Sequence, residues 1–310
     1  MKFIDPRIDF AFKKIFGSEE AKDILISFLE SLLGLEGERR IAELTLLDPF
    51  LAPRIQDLKS SVLDVKCRDH RGVSYIVEMQ IQKAAAFLKR IQYNAAKTYV
   101  HQIARGDEYP RLNQVIAITI TDFLLFNGFE HCVSRHESRE TITGQVFLQD
   151  ILYCFIELPK FTKPLAEVRD VLDQWISFIK YAGDLEAIPE TIRMEPIRHA
   201  FERARVATLS TDELELYDKA GIALTDAQGA LQLAREEGRQ EGEHIGREKG
   251  RQEGRQEGAG TLLRRYLHRK FGAPLDAAVE SKLSSASLDE IEKWMDRIGE
   301  AQSLDDVFMI

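Results

Sequence analysis

Two carboxylates and an amide stand out as a group that could do chemistry. The segment Lys59-Ser-Ser-Val-Leu-Asp64-Val is followed, after a short turn, by Tyr75-Ile-Val-Glu78-Met-Gln80-Ile. On the second run Val73, Tyr75, Val77, Met79 and Ile81 alternate, which puts Glu78 and Gln80 together on the other face of a strand. On the first run Leu63 and Val65 share a face and Asp64 takes the opposite one. A turn over Asp69-His70-Arg71-Gly72 would fold the two runs into a hairpin and bring Asp64 and Glu78 to facing positions. Two carboxylates with an amide beside them are oxygen ligands of the kind Mg²⁺ or another hard divalent cation takes. Such a cation can polarise a phosphodiester and activate water. The plainer reading is a solvated polar strand face.

The elements that must hold these residues follow from periodicity. Residues 9–17, DFAFKKIFG, predict a short helix with Phe12 and Phe16 on one face. Residues 21–33 predict an amphipathic helix with Ile24, Leu25, Phe28, Leu29 and Leu32 inward, ended by Gly34. Strands are expected over Ile41–Leu47, Ser61–Cys67 and Val73–Ile81, a helix over 84–104, a buried strand over 114–120, and another strand within 145–158. This order describes an α/β core with a mixed sheet. The helix over 84–104 lines up Arg90, Tyr93, Asn94, Lys97 and His101 at three- and four-residue spacings. It reads either as a ridge facing a phosphate backbone or as an ordinary polar face.

These residues carry a resemblance. An acidic residue on one strand and Glu-x-Gln on the next is similar to the active-site block of the PD-(D/E)XK nuclease superfamily. The opening Asp9-x-x-Phe12-Lys13-x-x-Phe16-Gly17, the block Lys59, Asp64, Glu78-Met79-Gln80, the helical Arg90 and Tyr93, and Glu157-Leu158-Pro159-Lys160-Phe161 resemble, in order and spacing, the recombination-promoting nuclease (Rpn) and transposase family of that superfamily. The resemblance covers about residues 1–225. It implies a restriction-endonuclease-like fold and a Mg²⁺-dependent endodeoxyribonuclease. In that reading Asp64 and Glu78 hold the cation and Gln80 orients water. Lys59, Arg90, Tyr93 and Lys97 contact the DNA. The superfamily's usual lysine is Gln80 here, and loss of a cation near a developing phosphorane charge costs rate. Lys66, Lys59 and Lys97 are alternative sources of that charge. A second reading is a non-catalytic nucleic-acid-binding or oligomeric adaptor on a degenerate nuclease fold.

The rest of the chain bounds the problem. The 310 residues are 44% hydrophobic and 30% charged, an ordinary globular composition. Net charge is −9, which argues against a general nucleic-acid binder, but it is unevenly placed: residues 1–160 carry 21 basic and 22 acidic residues. Three scattered cysteines fit a reducing, cytoplasmic compartment and neither a disulfide framework nor a zinc site. No apolar stretch is long enough for a membrane span, and the N-terminus has no signal-peptide core.

Four parts are expected: a nuclease-like core over 1–160, a helical extension over 161–226, a charged segment over 227–260, and a small helical domain over 261–310. In the charged segment Gly recurs every fourth residue from Gly238 to Gly258. Glycine costs a helix about 1 kcal/mol relative to alanine. The segment therefore reads as a hydrated, partly helical linker or as a close-packed seam of a homo-oligomer. The basic run Arg264 to Lys270 reads as DNA-contacting or as the outer face of the last domain. Ser287 with Glu290 predicts a capping box opening the last main helix.

Overall fold

The computed structural model of the protein describes residues 2–51, 61–272 and 275–308. Two compact units are present, Met1–Asp226 and Ala227–Ile310.

The first unit opens with helices α1 (Asp9–Phe16) and α2 (Lys22–Leu33), followed by strands β1 (Leu44–Leu46), β2 (Phe50–Leu51), β3 (Ser61–Val62), β4 (Val65–Asp69) and β5 (Ser74–Gln80). Helix α3 (Phe87–Val100) leads to β6 (Val115–Thr121), β7 (Val133–Ser138) and β8 (Leu148–Glu157). Helices α4 (Val171–Tyr181) and α5 (Glu195–Arg203) complete the packing. The main sheet has six strands in the order β1-β4-β5-β6-β8-β7. Its centre, β5-β6-β8, is parallel and its flanks are antiparallel. A parallel pair needs a crossover, and α3 supplies the one between β5 and β6. Strands β2 and β3 form a separate two-stranded sheet.

Strand alternation divides the core. Val65, Cys67, Tyr75, Val77, Met79, Ile118 and Ile120 face one layer, which they share with Phe12 and Phe16 of α1, Phe28 of α2, Trp175 of α4 and Phe201 of α5. Ile76, Val115 and Ala117 face the other, against Phe87, Ile91 and Ala95 of α3. The turn joining β4 to β5 is the one expected. Asp69 N–H donates to the Val73 carbonyl, Gly72 N–H donates to the Asp69 carbonyl, and Gly72 adopts a φ of 88° that favours glycine.

Three expectations change. The strand over Ser61–Cys67 is broken at Leu63 and Asp64, for the reason given below. Residues 161–226 are not helical throughout. Pro164, Pro189 and Pro196 punctuate them, and the intervals between α4, α5 and the next helix are mostly irregular. Strands β2 and β7 were not expected; β7 has a mixed sequence, VSRHES, without apolar alternation.

Helix α6 (Thr211–Phe271) includes the whole glycine repeat. Ion pairs one turn apart, Arg239–Glu243 and Lys249–Glu253, lie along it. In the second unit Leu263 and Leu267 of α6 share a core with Val279 and Leu283 of α7 (Ala277–Ser285) and Ile291 of α8 (Leu288–Arg297). Helix α9 (Leu304–Phe308) adds Val307 and Phe308. The Ser287–Glu290 capping box is formed. Within the basic run, Arg264 pairs with Glu280 at 2.7 Å.

Candidate active site

Asp64 is placed by a one-residue bulge. Strand β1 pairs with β4 as far as the hydrogen bond from Leu47 N–H to the Lys66 carbonyl. The next bond on the same edge runs from Leu63 N–H to the Pro49 carbonyl, and pairing then continues as Phe50 with Val62. Two steps on one side thus face three on the other, so one extra residue is accommodated between Leu63 and Lys66. On the β5 side, Val65 faces Val77 and Cys67 faces Tyr75. A regular continuation would give Met79 N–H to the Leu63 carbonyl. Instead Asp64 Oδ2 accepts it, at 2.7 Å. The bulge turns the Leu63 side chain into the α3 layer beside Ile76. Asp64 therefore lies at a bend before β4, not within a regular strand, with its carboxylate against the backbone between Glu78 and Gln80.

Helix α1 brings the nearest charges to Asp64. Lys13 Nζ lies 2.7 Å from Asp9 Oδ1 and 3.6 Å from Asp64 Oδ1. Burial pushes the Asp64 carboxyl up to about 7; Asp9 adds to the rise, and the Met79 N–H and the Lys13 ammonium oppose it. Desolvation would lower the Lys13 ammonium, but Asp9 and Asp64 together overrule it and hold it above its ordinary value. Asp9 and Lys13 were legible only as part of the opening signature, although an acid and a base four residues apart on a helix are a pairing signal in themselves.

Glu78 lies near the end of central strand β5 and is only 7% exposed. Its Oε1 accepts a hydrogen bond from Asn94 Nδ2 of α3 at 2.9 Å. Burial raises its carboxyl above the ordinary value, against the Asn94 hydrogen bond and the nearby Arg90 charge. Asn94 Oδ1 is itself buried and has no hydrogen-bond partner among the described residues. Asn94 thus leaves the expected polar ridge and faces inward. A sharper signal was available, since Phe87, Ile91, Asn94 and Thr98 follow the four- and three-residue spacing of the inward helix face.

Gln80 is committed to two contacts. Its Oε1 accepts from Arg90 Nη2 at 2.6 Å, and its Nε2 donates to the Met79 carbonyl at 3.0 Å. The Arg90 guanidinium also lies over the Phe87 ring, 5.4 Å from its centroid. The motif's amide thus holds a guanidinium at the end of the sheet. The expected polar ridge on α3 is divided. Arg90 and Tyr93 are exposed, whereas Lys97 is 6% exposed, with its ammonium 5.6 Å from the Tyr93 ring centroid. Lys59 lies outside the described residues. Lys66 is half-buried beside Arg68 and Asp48, and burial and Arg68 lower its ammonium. Cys67 is a buried core residue.

The Glu157 motif is structural. The Glu157 side chain is fully buried, pairs with Lys160 at 2.6 Å, and accepts the backbone N–H groups of Leu125 and Phe126 at 2.6 and 3.0 Å. It ties the segment after β6 to the end of β8.

The donor set suits a hard divalent cation. Asp64 Oδ2 and Glu78 Oε1 are each held by a neutral N–H donor, and Asp64 Oδ1 faces the Lys13 ammonium at 3.6 Å. Glu78 is buried and Asp64 half-buried, burial raises both carboxyls, and the unpartnered Asn94 Oδ1 lies beside Glu78. Among the described residues no cluster of three or more His, Cys, Asp or Glu side chains forms. Mg²⁺ commonly takes only one or two carboxylates and completes its shell with water and substrate oxygens. In their chemistry, these oxygen donors are of the kind such an ion takes.

No curated protein and no solved structure matches the chain significantly. A family described as PD-(D/E)XK nuclease family transposase matches residues 6–234. That span includes Asp9, Lys13, Asp64, Glu78, Gln80, Arg90 and the Glu157 motif, and the mixed six-stranded sheet with helices on both faces is consistent with a restriction-endonuclease-like core. With well over half of its length matched, the chain belongs to the PD-(D/E)XK nuclease family transposases.

Proposed function

We propose that the protein is a divalent-cation-dependent DNA endonuclease of the recombination-promoting type, with Mg²⁺ as its ion. The observation that carries this reading is the acid pair of half-buried Asp64 and buried Glu78, each with one oxygen held by a neutral donor. Burying a carboxylate without a full countercharge costs stability, and a bound cation would offset that cost. When bound, the cation would polarise the phosphoryl oxygen and make water a better nucleophile at neutral pH. The chain's own residues do the rest. Met79 N–H and Asn94 Nδ2 fix the two carboxylates, and Gln80 holds Arg90 where it can meet a backbone phosphate. Tyr93 is exposed one turn from Arg90 and is assigned to the same strand of DNA, with Lys97 behind it; Lys59, outside the described residues, is assigned to the same role. A reducing, cytoplasmic setting is proposed from the three free cysteines. No described helix is long and apolar enough to cross a membrane.

The test is incubation of supercoiled plasmid with Mg²⁺ and with chelator. Nicked or linear product only with Mg²⁺ supports the assignment. Binding without cleavage under both conditions would point to the adaptor reading, which rests on Gln80 in the lysine position.

Arg90 is expected to act in binding. Arg90→Ala should weaken DNA affinity and reduce the slope of log K against log salt by about 1, the signature of one lost phosphate contact. Fluorescence anisotropy in chelator across a salt series measures it. An unchanged slope would confine Arg90 to packing on Phe87 and Gln80.

A further inference from the structure

The strand motif carries an amide where the superfamily pattern has a lysine, so a nuclease built on this site needs its positive charge from elsewhere. We propose that Lys13 of α1 is that catalytic cation, its ammonium set to stabilise the charge that builds on a non-bridging oxygen of the scissile phosphate. The inference rests on the nuclease reading above and names the residue that reading lacks.

Three observations point to Lys13. Its ammonium is within ion-pair distance of Asp64, at 3.6 Å, and among the described residues it is the basic group that reaches this carboxylate. Asp9, one turn earlier on the same helix, holds it at 2.7 Å, so the long side chain is fixed in place before substrate arrives. The lysine is also reachable. Its side chain is 39% exposed, and it lines a cavity of about 670 Å³ in which Lys13, Lys14 and Arg203 stand beside the carboxylates Asp9, Glu20 and Glu213.

The other cations have different surroundings. Arg90 is engaged by Gln80 and Phe87. Lys97 is buried over Tyr93. Lys66 is half-buried beside Arg68, which disfavours a second positive charge. Lys13 faces two carboxylates, Asp9 and Asp64. Its role is electrostatic: a bond forms from the water oxygen to phosphorus while the bond from phosphorus to the leaving sugar oxygen breaks. The water's proton passes to solvent and the leaving oxygen takes one from solvent. Lys13 neither gains nor loses a proton in the step.

A structural counter-ion to Asp64 would behave differently, and the difference can be measured. Full-length wild type, Lys13→Met, Lys13→Arg and Asp64→Asn are compared by three readouts. These are DNA affinity in chelator, the Mg²⁺ concentration giving half-maximal cleavage, and the single-turnover rate at saturating Mg²⁺ and DNA. For Lys13→Met the saturated rate should fall by about 10²–10³-fold, the cost of removing one preorganised charge-stabilising group. Its DNA affinity should stay within about threefold of wild type, a small effect on this energy scale. Its half-maximal Mg²⁺ should be unchanged or lower, because a positive charge beside Asp64 competes with the ion. Lys13→Arg should recover most of the rate. If Lys13→Met does not fold, as judged by circular dichroism, Lys13→Gln carries the same test.

A saturated rate for the methionine variant within about threefold of wild type, well under 1 kcal/mol of barrier, would overturn the proposal. So would an arginine variant as slow as the methionine one. If wild type cleaves and Asp64→Asn does not, such a result removes Lys13 alone. If wild type itself shows no Mg²⁺-dependent cleavage, the nuclease reading fails and the lysine assignment fails with it.

Discussion

Replacing Asp64 with asparagine is expected to abolish Mg²⁺-dependent plasmid cleavage, by at least ~10³-fold, without lowering the melting temperature of the chelated protein. The two halves of this expectation have separate causes. A carboxamide lacks the charge needed to hold a divalent cation, and several kcal/mol of transition-state stabilisation goes with it; about 4 kcal/mol corresponds to the stated factor. The asparagine side chain can still accept the Met79 N–H through its Oδ1, so the contact that bridges the bulge survives. It also removes a half-buried negative charge that lies close to Asp9. Calorimetry in chelator beside the plasmid assay separates the two. Unimpaired cleavage would remove Asp64 from the metal site. Lost cleavage with a collapsed melting temperature would show that the substitution acted through the fold.

The largest stability effect is expected at Glu157, away from the candidate metal site. Glu157→Gln should destabilise the first unit by about 3 kcal/mol or more, because it leaves the Lys160 ammonium buried without its countercharge. Burial alone would raise the Glu157 carboxyl, but Lys160 and the N–H groups of Leu125 and Phe126 outweigh it and hold the group below the ordinary carboxylate range. The sign for pH follows. The unfolded chain binds this proton more readily than the folded one, so the pair's contribution is present above the unfolded pKa of about 4.3. It is lost as pH falls through the lower folded value. Denaturant titrations from neutrality down into the acid range should show a smaller acid loss for Glu157→Gln than for wild type. A second substitution, Lys160→Met, placed on the Glu157→Gln background should recover part of the stability, since the stranded ammonium is then gone. Equal acid slopes for wild type and Glu157→Gln would show that the pair contributes nothing through its charge.

Local patterning carried the elements that hold the site. The alternation of Tyr75, Val77 and Met79 committed Glu78 and Gln80 to one face of β5, because a strand's side-chain period is two and does not depend on its neighbours. The spacing of Ile24, Leu25, Phe28, Leu29 and Leu32 did the same for α2, and Ser287 with Glu290 for the start of α8. The family was legible for a related reason: its motifs are short and each lies within a single element.

Tertiary structure decided what lies between elements. The bulge at Asp64 exists because β4 pairs with β1 while β3 pairs with β2, a mismatch of one residue between segments distant in the chain. An inserted residue leaves the apolar pattern on either side intact, so alternation alone sent Asp64 to the wrong local setting, a regular strand. Lys13 meets Asp64 only because α1 packs into the core through Phe12 and Phe16 and presents its charged edge at the same end of the sheet. Arg90 meets Gln80, and Asn94 meets Glu78, because α3 returns across β5 after a short connection. Side-chain types set which charges the chain possesses. Which carboxylate each one faces depends on helix placement over the sheet, a sum of long-range packing contacts that no local window of residues contains.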